Sequence, residues 1–282
     1  MTHVSSGYGV AFLDWLGCAC AGSGERAARG VLGLGDELPA RVAFAGVAGH
    51  VLDYDDTLPD GVAHVSAPCA PAALVVADEL GLSMRAMLEA FAEGWEAMAA
   101  VAAASHPALY DGGWHPTTVC GPVGAAVAAA RLLDLSAAQR EHAMALAVLR
   151  AGGTRGAFGS DGKALQVGLA AAAGVQAALL AQAGATVDAR AIRGQLGFEG
   201  VLGASVPDWV ARGGRHTGEE DGETGAPRAI AHNWIKLHPS CLGTHAAIDA
   251  AAEVRGGGDH PGGASLVVPC TRWCARPRTS TT

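Results

Sequence analysis

The sequence predicts a mainly α-helical protein, and three observations carry that expectation. Half of the 282 residues are hydrophobic while only 5% are aromatic, and much of the apolar content is alanine, which favours helices packed closely over a β-sandwich. Apolar side chains recur at three- and four-residue steps, most clearly Met84, Met87, Leu88, Phe91, Trp95 and Met98, the spacing of a helix with one core-facing stripe. Alternating strand patterns are missing, and Ser265–Val268 is the one short strand candidate.

Taken in order, residues 8–21 and 39–57 read as helices joined by a connection rich in glycine (Gly30, Gly33, Gly35), where a helix is costly to continue. A third helix spans 67–80, with Pro68 and Pro71 near its start and Gly81 at its end. Ser83 is placed to cap the next, which carries the Met84–Met98 stripe as core,. Residues 117–133 are small and apolar, and Gly121 and Gly124 suit helix backbones that approach closely. Ser136 and Gln139 make a capping box for a helix running to about Arg150,. The loop Gly152–Lys163 then yields to an Ala-rich helix over 164–183. Ser205–Ala229 is polar, glycine-rich and acidic, the character of an exposed loop near a domain boundary,. Pro239 suits the first turn of a last helix continuing to about Val254,.

Composition also excludes functions. The net charge is -8, and no cluster of Lys and Arg exists to neutralise phosphates, which argues against a nucleic-acid partner. The first residues lack a basic start and Asp14 interrupts the early apolar run, so a secretory signal is not expected and the chain reads as cytoplasmic. The segment Ala164–Gly184 is long enough to raise the question of a membrane span, but Gln166, Gln176 and Gln182 and its reliance on Ala and Gly favour a buried core helix,. The seven cysteines form no C-x-x-C pair and no zinc or iron–sulfur spacing, so reduced thiols and no metal are expected.

Chemistry is concentrated in four polar islands: His50–Thr57 followed by His64; Trp114–Thr117; Asp161–Lys163; and Lys236–His245. If the first ends a helix, 3.6-residue periodicity puts His50, Asp53 and Thr57 on one face with Asp56 at its flank. Uncompensated charge among long Ala and Leu runs is expensive, so His64, His115, Lys163, Lys236 and His245 must converge on a pocket or reach the surface. Convergence with Asp53 and Thr57 would give an acid–base pair inside a polyanion site, suited to a small di- or tricarboxylate. A helix starting near Pro239 would add free backbone N–H groups at Ser240 and Cys241. Gly156–Ala164 does not make a phosphate loop, since Ala157 and Ala164 stand where that motif needs Gly and Ser or Thr,. Cys241 near His238 and His245 admits a nucleophile, although a polar helix-cap environment accounts for it more simply.

Together the islands resemble the MmgE/PrpD family, which includes 2-methylcitrate dehydratases, cis-aconitate decarboxylases and iminodisuccinate epimerases. The similar segments are His50–Thr57, Trp114–Thr117 with Gly121–Ala126, Gly162–Lys163 with Gly168–Ala171, and Lys236–His245. The resemblance implies a large all-helical domain, here 1–235, and the start of a smaller α+β lid over 236–282. It also implies a homodimer and a site between domain and lid that uses no cofactor. Carried over by motif, the catalytic residues are Asp53, His64, His115 and Lys163, and the substrate-binding ones Thr57 and Lys236, to which Cys241 and His245 are added. Cys241 stands where decarboxylase relatives carry a histidine, Gln166 replaces a histidine common after the lysine, and one extra residue separates Thr57 from His64.

The expected reaction is that of a hydro-lyase on a 2-methylcitrate-like hydroxy-tricarboxylate. Asp53 or His115 would abstract the proton next to a carboxylate, His64 would protonate the leaving hydroxyl, and Lys163 and Lys236 would stabilise the carbanion-like transition state. A cis-aconitate decarboxylase, an iminodisuccinate-type epimerase and an inactive truncated member are the alternatives. The last is raised by Val268–Thr282, which has no periodicity. Plausible GC-rich codons for Pro269–Arg278, read in a shifted frame, give a segment similar to the family's, so a frameshifted tail from about residue 269 and an incomplete lid are expected.

Overall fold

The structure is a computed structural model that describes residues 6–214 and 228–256, with side chains to 253. Its helices are α1 (Ser6–Gly22), α2 (Arg26–Val31), α3 (Leu38–His50), α4 (Ser66–Glu79), α5 (Met84–Ala104), α6 (Ala108–Asp111), α7 (Pro116–Leu132), α8 (Ala137–Val148), α9 (Asp161–Gln182), α10 (Phe198–Leu202), α11 (Asp208–Ala211) and α12 (His245–Gly256). Among the described residues, β pairing is confined to isolated bridges, Thr57 with Trp234, Leu58 with Ala63, and Trp114 with Thr154. The mainly α expectation holds, and the lid strand expected at Ser265–Val268 and the tail from 269 lie outside the described residues.

The centre of the molecule is α7, buried along almost its whole length. It packs against α9, α5, α4 and α8, while α3 lies on α9 and α1 on α3. Small side chains let these axes come close. A Cβ on Gly168 of α9 would stand 2.3 Å from the Ala43 carbonyl oxygen of α3, and one on Gly174 would stand 2.4 Å from that of Pro122 in α7. Gly124 is equally committed, since a Cβ there would meet Cys69 Sγ at 2.6 Å. The expectation that glycines mark close helix approach thus describes α7, and applies to α9 as well.

The caps behave as the sequence indicates: Ser83 accepts from Ala86 N, and Ser136 with Gln139 forms a full capping box. The Ala-rich helix is long and apolar enough to cross a membrane, but 67% of its apolar window is buried inside the protein, as suits a core helix.

Several boundaries differ from expectation, each for a local reason. The glycine-rich connection contains the short helix α2, whose Ala27, Ala28 and Val31 are buried, so packing overrides the poor propensity of Gly30. Met84, placed in the core by periodicity, is 61% exposed, because it starts α5 beyond the edge of the bundle. The 39–57 helix stops at His50, and Asp53 adopts a left-handed conformation (φ 51°), which an aspartate tolerates but a helix does not. His50, Asp53 and Thr57 therefore do not share a helix face. Pro239 begins no helix: a 3-10 turn at Leu242–Thr244 precedes α12, and Ser240 N donates to His238 O. The helix-start seat expected at Ser240 and Cys241 is not formed.

The packing of α3 on α9 and of α9 on α7 brings the end of α3 and the starts of α7 and α9 to one end of the bundle. Replacing Gly168 by alanine should cost about 1–3 kcal/mol of stability by forcing α3 away from α9. Urea unfolding of the variant measures it, and an unchanged midpoint would contradict the close approach.

Candidate active site

Seven residues after α3 carry most of the site. Because the chain leaves the helix at His50, Asp55, Asp56 and Thr57 turn into the protein while Tyr54 stays exposed. Asp55 and Asp56 are both fully buried, a position that carboxylates hold only with donors around them. Asp55 accepts from His50 Nδ1 at 2.9 Å and from His64 Nδ1 at 3.2 Å. Burial works against its charge, but the two histidines outweigh burial and hold the carboxyl well below the usual range. Asp56 takes Ser66 Oγ and Asn233 Nδ2, each at 2.6 Å, and Trp95 Nε1 donates to the same Ser66 hydroxyl. For Asp56 burial wins, with Asp55 adding to it, and the carboxyl is pushed up to about 7. Asp14 on α1 is likewise raised, to about 6, by burial and by Asp55.

Asp53 occupies the opposite extreme. Its Oδ1 lies 2.7 Å from both Lys163 Nζ and Lys236 Nζ, and Lys236 also donates to its backbone oxygen at 2.9 Å. Burial disfavours its charge, yet His64, Lys163 and Lys236 together hold the carboxyl far below the ordinary value. The Lys236 side chain has no exposure to solvent, so these contacts stand in for the water its ammonium group has lost. Asn233 and Lys236 arrive through the bridge in which Thr57 and Trp234 exchange N–H···O bonds of 2.9 Å. Lys163 stands in the first turn of α9, which begins at Asp161.

The two histidines predicted as catalytic sit in different electrostatic company. His64 turns Nδ1 to Asp55, with Thr57 Oγ1 at 3.4 Å from the same nitrogen, while its backbone N–H donates to Thr117 Oγ1. A carboxylate held ionised accepts only, so the proton of the neutral ring is on Nδ1 and Nε2 carries the lone pair. That Nε2 is 3.7 Å from Asp53 Oδ1, too far for a hydrogen bond. Burial, opposed by Asp55, lowers His64 to about 4, so the ring is neutral at pH 7. His115, at the start of α7, is 2% exposed and stacks edge-on against Phe158 at 4.8 Å. Its Nδ1 faces the amide of Gln166 at 2.8 Å, and burial together with His50 and Lys163 keeps it well below its ordinary value.

Above these groups opens a cavity of about 640 Å³, lined by Arg26, His50, Asp53, Ser160, Gly162 and Lys163 among others. The start of α9 forms one wall, capped by Ser160 accepting from Gly162 N. A helix start concentrates N–H groups and positive potential, and the helix start that faces this cavity is that of α9, not one after Pro239. Arg26, ion-paired to Asp161 at 2.8 Å, stands at the rim.

Asp53, Thr57, His64, His115, Lys163 and Lys236 are thus gathered at one place. Cys241 and His245 make none of these contacts: Cys241 is exposed, and His245 hydrogen-bonds His238 O and stacks on the His238 ring, which pairs with Asp249. His50, Asp55 and Gln166 belong to the site but were absent from its expected members. The only sequence signal for Asp55 was the density of acids in Asp53-Tyr54-Asp55-Asp56, and a helical reading turns the wrong ones inward. His50, Asp55 and His64 offer ligand atoms within 4.8 Å of one another, enough to consider a metal; here the Nδ1 atom of each ring is already engaged by the carboxylate.

A mainly helical bundle with such a site defines a class before it defines a protein. A family model described as the MmgE/PrpD N-terminal domain matches residues 30–207, and the chain belongs to the MmgE/PrpD family. It is similar to the cis-aconitate decarboxylases of Homo sapiens, 30% identical over 235 residues, and of Mus musculus, 30% identical over 231 residues. Each match covers 77% of this chain and 44% of the relative, so the chain spans less than half the length of these curated relatives.

The elevated Asp56 carboxyl makes a prediction about stability. A group whose folded pKa is raised contributes stability below its unfolded value and loses that contribution as pH rises through the folded value. Relative to Asp56→Asn, the wild-type protein should therefore lose stability between about pH 4 and about pH 7 and change little above. Urea midpoints across that range check it, and a pH-independent difference would contradict it.

Proposed function

We propose that this chain acts on a small di- or tricarboxylate by proton transfer at the carbon next to a carboxylate, and that its reaction is dehydration of a 2-methylcitrate-like hydroxy acid. One observation carries the reading: Lys163, Asp53 and a helix start border one cavity, and the same Asp53 carboxylate pairs with Lys236 and lies 3.7 Å from Nε2 of a neutral His64. The lysines and the N–H groups of α9 favour negative charge, which grows on the substrate as its proton leaves. His64, oriented by Asp55, is the better base of the groups present. Asp53 is a poor one, because its charge is already satisfied by both lysines; it serves to hold them in place until substrate carboxylates compete for them. This reverses the role first expected for His64, which was that of the acid. Depression of its pKa leaves His64 unprotonated at neutral pH, so it enters the reaction as a base and has a proton to give only after it has taken one from the substrate.

A second reading, decarboxylation of cis-aconitate, is favoured by the activity for which the human and mouse relatives are named. It uses the same anion seat and needs a proton donor where carbon dioxide departs.

Incubation with 2-methylcitrate, citrate and cis-aconitate in deuterated buffer, followed by NMR, separates the readings. Water loss with deuterium exchange supports dehydration, release of carbon dioxide supports the second reading, and absence of both with every acid overturns the proposal. Lys163→Ala should lower turnover by about 10²-fold or more, in line with removal of one preorganised charge-stabilising group. Unchanged turnover would remove Lys163 from the machinery.

A further inference from the structure

We propose that Gln166 is a positioning residue that fixes the proton of His115 on Nε2, so that His115 enters the site as an N–H donor while His64 enters it as a base. The catalytic part of this statement rests on the proposed reaction; the placement of the proton does not.

Gln166 lies three residues after Lys163, so one side of α9 delivers a cation to Asp53 and an amide to His115,. The polarity of that amide is set by backbone groups that cannot change theirs. Its Oε1 accepts from Thr154 N at 3.2 Å, and its Nε2 donates to Thr154 O at 3.3 Å. A flipped amide would set oxygen against oxygen and N–H against N–H. The second proton on Nε2 then points to His115 Nδ1 at 2.8 Å, which must accept it,. In a neutral imidazole that leaves the ring's own proton on Nε2.

Thr154 is itself anchored. It pairs with Trp114 in an antiparallel bridge, and flanking bonds run from His115 N to Gly153 O and from Arg155 N to Gly113 O. Gly153 has φ 98°, and a Cβ there would lie 2.8 Å from Gln166 Oε1 and 2.3 Å from Thr118 Oγ1. Only glycine leaves room for the amide to reach the Thr154 backbone. The ring, its amide and the strand-like turn behind them form one built unit.

The contrast with His64 gives the unit its meaning. A carboxylate beside Nδ1 pins a proton there and frees Nε2 as an acceptor; an amide NH₂ beside Nδ1 does the reverse and also disfavours the doubly protonated ring. One site thereby holds two neutral histidines of opposite tautomer. Proton abstraction by His64 Nε2 forms its N–H bond as the substrate C–H bond breaks. His115 Nε2–H donates a hydrogen bond to the departing hydroxyl oxygen, the C–O bond breaks, and the proton now on the His64 imidazolium passes to that oxygen to release water, which returns both rings to their neutral forms. Titratable groups facing His115 are His50 at the end of α3, His64 and Asp55 before α4, and Lys163 on α9.

The test is ¹⁵N-histidine NMR of the full chain at neutral pH, with His115 assigned by its loss in His115→Gln. The expected spectrum shows a protonated Nε2 and a bare Nδ1. A protonated Nδ1, or a doubly protonated ring, overturns the proposal, and this wild-type result decides even if no variant at Gln166 folds. In Gln166→Met the single tautomer should give way to a mixture; in Gln166→Glu the proton should move to Nδ1 and kcat should fall by about 10²-fold or more with little change in KM. Retention of the pure Nε2–H pattern in Gln166→Met overturns the role of Gln166. Absence of turnover with a wild-type Nε2–H spectrum counts against the proposed reaction and leaves the proton placement standing.

Discussion

Buried carboxylates are the constraint from which the rest of this site follows. Asp55 and Asp56 have no water to turn to, and each must collect donors from segments far apart in sequence. Asp55 collects His50 and His64; Asp56 collects Ser66 and Asn233. Those bonds tie the end of α3, the start of α4 and the segment around 233 into a single floor. Adjacent acids receive opposite treatment: Asp55 is held ionised by histidines, while Asp56, with neutral donors and a charged neighbour, holds its proton to about pH 7. That division limits the number of negative charges the floor carries at once.

The helical scaffold serves this floor by being rigid and close-packed. Where α3, α7 and α9 nearly touch along their backbones, few rotamers remain to adjust, and the helix ends keep fixed relations to one another. Positive potential from the start of α9 and the paired lysines then faces the cavity from a frame that does not have to reorganise. On the proposed reading this is the preorganisation that proton transfer beside a carboxylate requires.

Asp53 links the two halves of that arrangement. A left-handed residue just past α3 swings its carboxylate under Lys163 of α9 and Lys236 of the later segment. Without it two ammonium groups, one of them wholly buried, would oppose each other across a few ångströms. The same contact explains why the segment carrying Lys236 packs against the bundle, with Thr57 and Trp234 sharing backbone bonds beside it.

By itself the sequence determined the class of fold and most of the charged and polar residues gathered at the candidate site. Alanine-rich apolar periodicity makes helices whatever surrounds them, and islands of His, Asp and Lys within such runs must be compensated, which marked Asp53, Thr57, His64, His115, Lys163 and Lys236. It also announced the caps at Ser83 and Ser136, because capping is a local bond. What it could not decide was how those groups face one another. Helical periodicity carried on to Thr57 puts Asp53 beside His50 and leaves Asp55 outside, whereas the chain leaves the helix at His50 and Asp55 turns in. The distance between Gln166 and His115 and the partner that His245 finds in His238 are set by contacts that periodicity does not announce. A hydrogen bond across 51 or more residues has no local pattern to announce it, and only the packed helices bring its partners within reach.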